Sequence, residues 1–183
     1  MKNKIVSLLL FLLAAVNMHA ADGITVKFDV RNAVLNNVVL VYHMSVNEFA
    51  LTDGKATVQL DGMDALYANV YYGEKFKVVY LQKGDEMNIS FDGNDFDNTF
   101  AVKGGNEKAV DYLNKIQLTG LPNEAYTQPW GEFKSTVDKK MASMKRLLKA
   151  RKFAADDKFQ KMEEGRITSV SYTPLTLPTN REV

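Results

Sequence analysis

Two short stretches of alternating apolar residues in the middle of the chain most constrain how it can fold. The apolar positions are Phe76, Val78 and Tyr80 in the first stretch and Met87, Ile89 and Phe91 in the second. A period of two places each trio on one face of a β-strand. The polar residues between the stretches include Gly84, which tolerates the positive φ of a tight turn. The sequence therefore predicts a β-hairpin over residues 76–92, whose trios lie side by side under a second layer.

Similar stretches extend this pattern over residues 22–104. Predicted strands cover residues 24–31, 38–44, 55–61, 66–72 and 99–103. Asp53-Gly54 is a strong signal for a two-residue hairpin turn. Short strands separated by turns at nearly regular intervals predict a mainly β domain, either an antiparallel β-sandwich or a small barrel.

The apolar period changes after Gly104-Gly105 and becomes helical. Asn106 suits the N-cap of a first helix. Pro129 suits the first turn of a second helix. The second helix carries an apolar stripe at steps of three and four residues, formed by Phe133, Val137, Met141, Met144, Leu147 and Leu148. A break at Asp156-Asp157 precedes further helical residues, so we predict an α-helical linker segment over residues 105–168.

The first 21 residues have the parts of a secretory signal peptide. Lys2 and Lys4 supply positive charge, residues 5–16 are apolar, and Ala20 and Ala21 are small residues near a cleavage site. The apolar stretch is too short to cross a membrane comfortably as a helix. We expect a cleaved signal peptide, a periplasmic or otherwise exported chain, and no integral membrane span after cleavage. An uncleaved anchor is the alternative.

The last residues do not continue the helical pattern. Pro174 and Pro178 interrupt any regular element, and residues 171–183 resemble a tail produced when sequencing-adaptor DNA is translated by accident. We therefore predict that residues 169–183 are non-native and that the chain is a truncated fragment of a longer protein. A genuine flexible C-terminus is the alternative.

The chain offers few residues for chemistry. It has no cysteine, which excludes disulfides, thiolate metal sites and thiol catalysis in this chain. His43 lies in a predicted strand without a nucleophile-elbow pattern, so we interpret it as a strand residue on the polar face. The oxygen-rich residues 92–98 depart from a calcium-binding loop at Phe96 and Asp97 and are better explained as a turn. We predict no catalytic, cofactor-binding or metal-binding residues.

Positive charge is concentrated in one predicted helix, although the whole chain has a formal charge of only +1. Residues 134–152 contain eight lysines and arginines against a single acid, Asp138. A basic amphipathic helix can bind anionic lipid or nucleic acid. Here the charges are spread around the polar face and are not grouped with stacking aromatics. We interpret them as a solvated face that can meet an acidic partner, and expect no nucleic-acid partner.

Several motifs taken together resemble those of an exported redox family. They are residues 80–86 (YLQKGDE), 89–92 (ISFD), 100–106 (FAVKGGN) and 112–114 (YLN). Their order is similar to that in the N-terminal region of periplasmic thioredoxin-like thiol-disulfide oxidoreductases of the TlpA-like and AhpC/TSA-like group, common in Bacteroidetes-type bacteria. The resemblance covers residues 22–168. It implies a β-sandwich domain of unknown function, then a helical linker, and then a redox domain.

The chain departs from that family because it has no Cys-x-x-Cys motif, so no redox residue can be carried over. The resemblance implies a non-catalytic docking or positioning module whose catalytic domain is missing from this chain. Its partners would be that missing domain and envelope proteins. Two alternatives remain open. One is a free-standing periplasmic binding module for a sugar, peptide or metal ion, with Tyr67, Tyr71 and Tyr72 lining one face. The other is a structural envelope protein.

Overall fold

The computed structural model describes residues 23–116 and 121–172. The predicted signal peptide lies outside the described residues, as does the predicted tail beyond residue 172. The chain divides into two compact units, one ending at Val110 and the other beginning at Asp111. None of the helices in the described ranges is both long and apolar enough to cross a membrane.

The described part of the first unit contains two four-stranded sheets. The first sheet contains β1 (Gly23–Arg31), β4 (Lys55–Asp61), β7 (Glu86–Asp92) and β8 (Ala101–Lys103), in the order β4-β1-β7-β8. The second sheet contains β2 (Asn37–Tyr42), β3 (Ser45–Ala50), β5 (Ala65–Tyr72) and β6 (Lys75–Gln82), in the order β3-β2-β5-β6. Strand β1 pairs antiparallel with β4 but parallel with β7, so the first sheet is mixed and the prediction of a purely antiparallel sandwich is wrong for this pair.

Alternate strand residues from both sheets form one hydrophobic core. The first sheet contributes Ile24, Val26, Phe28, Val30, Val58, Leu60, Met87, Ile89 and Phe91. The second sheet contributes Val38, Leu40, Leu66, Ala68, Val70, Tyr72, Val79 and Leu81. Burial of a large apolar side chain is worth about 1.5–3 kcal/mol, so this shared core is the main source of stability in the unit. The predicted mainly β fold, a β-sandwich followed by a helical segment, is confirmed.

The predicted hairpin over residues 76–92 is wrong. Strand β6 pairs with β5 in the second sheet, whereas β7 pairs with β1 and β8 in the first. Residues 83–85 therefore connect the two sheets. The apolar period of a strand specifies which of its faces is buried, but not which strand lies beside it.

The predicted buried face is right for β7 and wrong for β6. Met87, Ile89 and Phe91 are fully buried in the core, as predicted. In β6 the core receives Val79 and Leu81, while Phe76 is 42% exposed. Four consecutive residues of β6, from Val78 to Leu81, are buried. Both faces of the strand are therefore covered there, and alternation alone does not identify the core face.

The predicted strand over residues 38–44 ends early, because the chain turns at His43-Met44. Both residues have positive φ, 48° and 61°, and Tyr42 pairs with Ser45 across them. His43 is therefore a turn residue and not the strand residue that we predicted. The following strand, β3, was not predicted, since His-Met lacks the glycine or asparagine usual in such turns.

A two-residue turn forms at Asp53-Gly54 as predicted, but it does not join β3 and β4 into a hairpin. Asp53 and Gly54 have φ of 51° and 75°, and Thr52 and Lys55 pair across them. The flanking strands β3 and β4 belong to different sheets, so this turn links the two layers. A Cβ on Gly54 would lie 2.4 Å from the carbonyl oxygen of Val30.

The described helices are α1 (Phe96–Thr99), α2 (Glu107–Lys115), a 3₁₀-helix (Asn123–Thr127), α3 (Trp130–Ala150) and α4 (Lys158–Tyr172). As predicted, α3 begins after Pro129. The predicted break is also present, and Asp157 Oδ1 accepts a hydrogen bond from Gln160 N (2.9 Å) in the first turn of α4. Helix α4 continues through residues 169–172, which lie inside the predicted tail. The non-native origin of the tail stays a prediction.

Replacing Gly54 with alanine should lower the free energy of unfolding by about 2 kcal/mol. An L-residue with left-handed backbone angles costs roughly 1–2 kcal/mol, and the added Cβ would meet backbone. Gly165→Ala is the opposite control, because Gly165 lies inside α4 with nothing within 4 Å of an added Cβ. It should stabilise by about 0.5–1 kcal/mol. Urea unfolding measures both changes, and equal effects would contradict the prediction.

Candidate functional site

His43 is a surface residue of a turn. It is exposed at the tip of the β2–β3 turn, and its ring makes an edge contact with Tyr42 at 6.0 Å between centroids. Within residues 23–116 and 121–172, no group of three or more histidines and acids is arranged to hold a metal ion.

The oxygen-rich residues 92–98 use their side chains in contacts with their own turn and with other parts of the sandwich. Asp92 accepts hydrogen bonds from Asn94 N (2.9 Å) and Asn32 Nδ2 (2.7 Å), and these bonds lower its pKa. Asp97 pairs with Lys75 (3.1 Å), which lowers its pKa in the same way. Phe96 in the middle of the segment is buried in the core. These contacts describe a stabilised turn and a short helix.

The three tyrosines of the binding-module alternative do not share one face. Tyr72 is buried in the core, and its hydroxyl accepts hydrogen bonds from Val34 N and Leu35 N, both at 2.8 Å. Tyr67 and Tyr71 point to the other side of β5 and are half-buried. Tyr72 therefore fixes the loop between β1 and β2, and the idea of a three-tyrosine face is wrong.

Two of the motifs that carry the family resemblance meet at one corner of the sandwich. Asp85 Oδ2 accepts hydrogen bonds from Gln82 N (2.8 Å) and Asn106 Nδ2 (2.7 Å). Gly104 has a φ of 77°, and an added Cβ would lie 2.5 Å from Glu86 O. The aspartate, asparagine and glycine of these motifs are thus explained by one interlocked turn. Desolvation by burial raises the pKa of Asp85, more than its two hydrogen bonds lower it.

Replacing Asp85 with alanine should lower the free energy of unfolding by about 1–3 kcal/mol, because two donors lose their acceptor. The difference from wild type should widen as the pH falls through the raised pKa. A carboxyl group with a folded-state pKa above its unfolded value adds stability when it is protonated. Urea unfolding at pH 7 and at pH values approaching 4 measures both effects. Asp29→Ala, at an exposed position on β1, is the matched control, and an equal loss there would contradict this role for Asp85.

The second unit is built around a buried acid. Glu163 is fully buried, and no other charged residue in the described ranges is buried. Its carboxylate accepts hydrogen bonds from Tyr112 OH (2.9 Å) and Arg166 Nε (2.8 Å). The Tyr112 hydroxyl also lies 3.5 Å from the carbonyl oxygen of Met144. Since these residues come from α2, α3 and α4, the cluster fixes the three helices together.

A half-buried lysine lies near this cluster. Desolvation by burial lowers the pKa of Lys140, and the positive charge of Arg166 lowers it further. At the end of α3, Arg151 Nη2 lies 2.7 Å from Asp111 Oδ2. This contact is an ion pair by distance, although the buried Nε and Nη2 of Arg151 make no hydrogen bond of acceptable geometry. Two partly buried cations, Lys140 and Arg151, therefore lie in this unit.

An open groove of about 630 Å³ lies between α3 and α4. One wall is formed by Lys145, Leu148, Lys149, Lys152 and Phe153, and the other by Gln160, Glu164 and Thr168. On each helix these residues recur at steps of three and four, the spacing of a single helical face. We call this feature the lysine groove. Its volume falls within the range of roughly 300–1,000 Å³ typical of ligand pockets.

The lysine groove has a net positive charge that is not neutralised within the described residues. Lys134 pairs with Asp138 (2.6 Å) elsewhere on α3. By contrast, none of the three groove lysines forms an ion pair in the described part of the chain. Glu164 on the facing wall accepts a hydrogen bond from Gln160 Nε2 (2.9 Å). The charge of the groove therefore suits an anion.

Trp130 packs against a neighbouring ring and is also exposed. Its ring lies 5.9 Å from that of Phe133, which lies 5.8 Å from the ring of Tyr126. Trp130 is 52% exposed and Tyr126 is 62% exposed. The three rings form an aromatic surface patch around the start of α3.

The sequence reasoning missed both Glu163 and the lysine groove. A signal for Glu163 was present, because Phe159, Glu163 and Ile167 follow each other at steps of four residues. An acid in the middle of such an apolar stripe is predicted to be buried with a partner. The groove had no comparable signal, since it depends on how two helices pack.

Comparison with known proteins identifies no family. No protein-family model matches the chain, and no curated protein matches it. Among solved structures, one match is a candidate cell adhesion protein from Bacteroides ovatus, with 16% sequence identity and a TM-score of 0.24. The match covers 46% of this chain and 44% of that chain. A likeness of this size carries no argument about the function of this chain.

Proposed function

We propose that this chain is the non-catalytic N-terminal docking or positioning module of an exported thioredoxin-like thiol-disulfide oxidoreductase. The catalytic domain would be encoded beyond the residues present here. The chain has no cysteine and therefore no thiol-disulfide active site of its own. Its role would be to hold or orient the redox domain, or to dock it onto envelope proteins.

The interlocked corner around Asp85 carries this proposal. Asp85 of the YLQKGDE motif and Asn106 of the FAVKGGN motif are 21 positions apart in sequence and are joined by a hydrogen bond of 2.7 Å. This contact gives the two motifs one structural role, which supports treating them as a single combined feature of the resemblance. A β-sandwich followed by helices is also the order that the resemblance implies.

Sequencing the source DNA beyond codon 168 tests the proposal. We expect the native reading frame to continue and to encode a Trp-Cys-x-x-Cys-type motif within the next domain length, about 100–150 residues. A native stop codon at the end of the present chain, or a continuation without such a motif, would contradict the proposed function.

A further inference from the structure

We propose that the lysine groove binds a small organic anion, namely a molecule with one or more acidic groups on an aromatic or aliphatic body. This inference does not depend on the proposed redox parent, since it concerns only contacts within the second unit. The groove combines the two features that such a ligand requires, an apolar floor and a row of cations.

The apolar part of the groove is formed by Leu148 and Phe153. Leu148 is only 4% exposed, so it belongs to the packed interface between α3 and α4. The Phe153 ring lies 5.3 Å from the ring of buried Phe159, which holds it in place. An aromatic or aliphatic body placed here would lose its own contact with water and would cover the half-buried Phe153 ring, with Leu148 closing the base of the groove.

The cationic part of the groove is the row Lys145, Lys149 and Lys152. With a rise of 1.5 Å per residue, Lys145 and Lys149 are about 6 Å apart along α3, and Lys152 follows just after the end of that helix. Each ammonium group is a donor without an acidic partner in the described chain. A carboxylate, sulfonate or phosphate group could therefore bind without displacing an existing ion pair.

The facing wall and the size of the groove favour a small ligand. Glu164 accepts from Gln160 Nε2 (2.9 Å), and Thr168 Oγ1 donates to Glu164 O (2.8 Å), so that wall is already satisfied by its own contacts. A volume of about 630 Å³ accommodates a molecule with an aromatic or short aliphatic body. The groove is lined by one acid and three lysines, a composition that disfavours binding of a metal ion and favours binding of an anion.

The test uses 1-anilinonaphthalene-8-sulfonate as a fluorescent probe on the full chain, with dodecanoate as a competitor. The groove variant is Lys145→Glu/Lys149→Glu. The matched control is Lys139→Glu/Arg146→Glu, which changes the net charge equally at exposed positions of the same helix outside the groove lining. A milder variant, Lys145→Gln/Lys149→Gln, repeats the test if the charge reversal impairs folding, which circular dichroism monitors.

We expect saturable binding of one probe per chain, displaced by dodecanoate. The groove variant should weaken binding by about tenfold or more, since it removes two attractive contacts and adds repulsion. The control variant should weaken it by less than about threefold through the general field. Absence of saturable probe binding, or equal losses in both variants, would overturn the proposal. So would groove-dependent binding to phosphatidylglycerol vesicles without binding of the free probe.

Discussion

Replacing Phe91 with alanine should lower the free energy of unfolding of the sandwich by about 3–5 kcal/mol, the usual cost of removing a buried phenylalanine ring. Phe91 is fully buried in β7. Its ring lies 4.8 Å from that of Phe96 and 5.0 Å from that of Tyr72. The alanine variant would leave a cavity at the centre of an aromatic cluster, which the rigid strands cannot close.

Phe76→Ala is the matched control for this result. Phe76 is also a strand phenylalanine with an aromatic neighbour, since its ring lies 5.2 Å from that of Tyr71. It is 42% exposed, so its removal should cost less than about 1.5 kcal/mol. Urea unfolding followed by circular dichroism measures both variants. A loss for Phe76→Ala as large as that for Phe91→Ala would contradict the assignment of core faces.

The second large effect is expected at the buried acid of the helical unit. Arg166→Leu should lower the free energy of unfolding by about 3 kcal/mol, because the buried Glu163 carboxylate would lose its ion pair and hydrogen bond with the Arg166 guanidinium. Tyr112 OH would still donate to Glu163, and the Arg166 side chain is 28% exposed, so we place the loss at the lower end of the range for buried pairs.

The double variant Glu163→Leu/Arg166→Leu separates the ion pair from ordinary packing. Once both side chains are replaced, no buried carboxylate has lost its guanidinium partner, and the loss should be smaller than that of Arg166→Leu alone. Thermal and urea unfolding of the single and double variants measure the coupling. Strictly additive losses would show that Glu163 and Arg166 do not act as a pair.

The apolar pattern of the sequence was sufficient for the fold class but not for the pairing of strands. The trio of β7 was assigned to the core correctly, because polar residues separate its members. In β6 four consecutive residues are buried, so the period of two has no clear phase. The hairpin prediction failed for a different reason: Gly84 permits a tight turn, and a tight turn can also connect two different sheets.

Turn chemistry explains the other differences. Asp53-Gly54 has the residues expected for positive φ and was predicted, whereas His43-Met44 adopts the same backbone region without them. Positive φ costs backbone strain energy for residues other than glycine and asparagine, and the pairing of the neighbouring strands must offset this cost. The pairing of Tyr42 with Ser45 and of Val38 with Phe49 supplies that support. Residue propensities alone do not reveal this strand pairing before the fold is known.

In the helical unit, the predictions were most accurate for helix boundaries that single residues determine. Pro129 before α3 and the break before α4 were both recognisable. The excess of positive charge on α3 was also visible. The groove was not, because whether the face with Lys145, Lys149 and Lys152 forms the wall of a groove depends on the position of α4. The lysine groove therefore could not be predicted from the sequence alone, because it depends on long-range packing.

The parallel pairing of β1 with β7 bears on how the sandwich folds. Residue pairs such as Thr25 and Glu86 are roughly 60 positions apart in the chain. The earliest-synthesised described strand cannot complete its ladder until almost the whole domain has left the ribosome. Such high contact order predicts a folding time of milliseconds to seconds. During that interval the edge of β1 is open to other chains, and a partner that covers this edge would protect it.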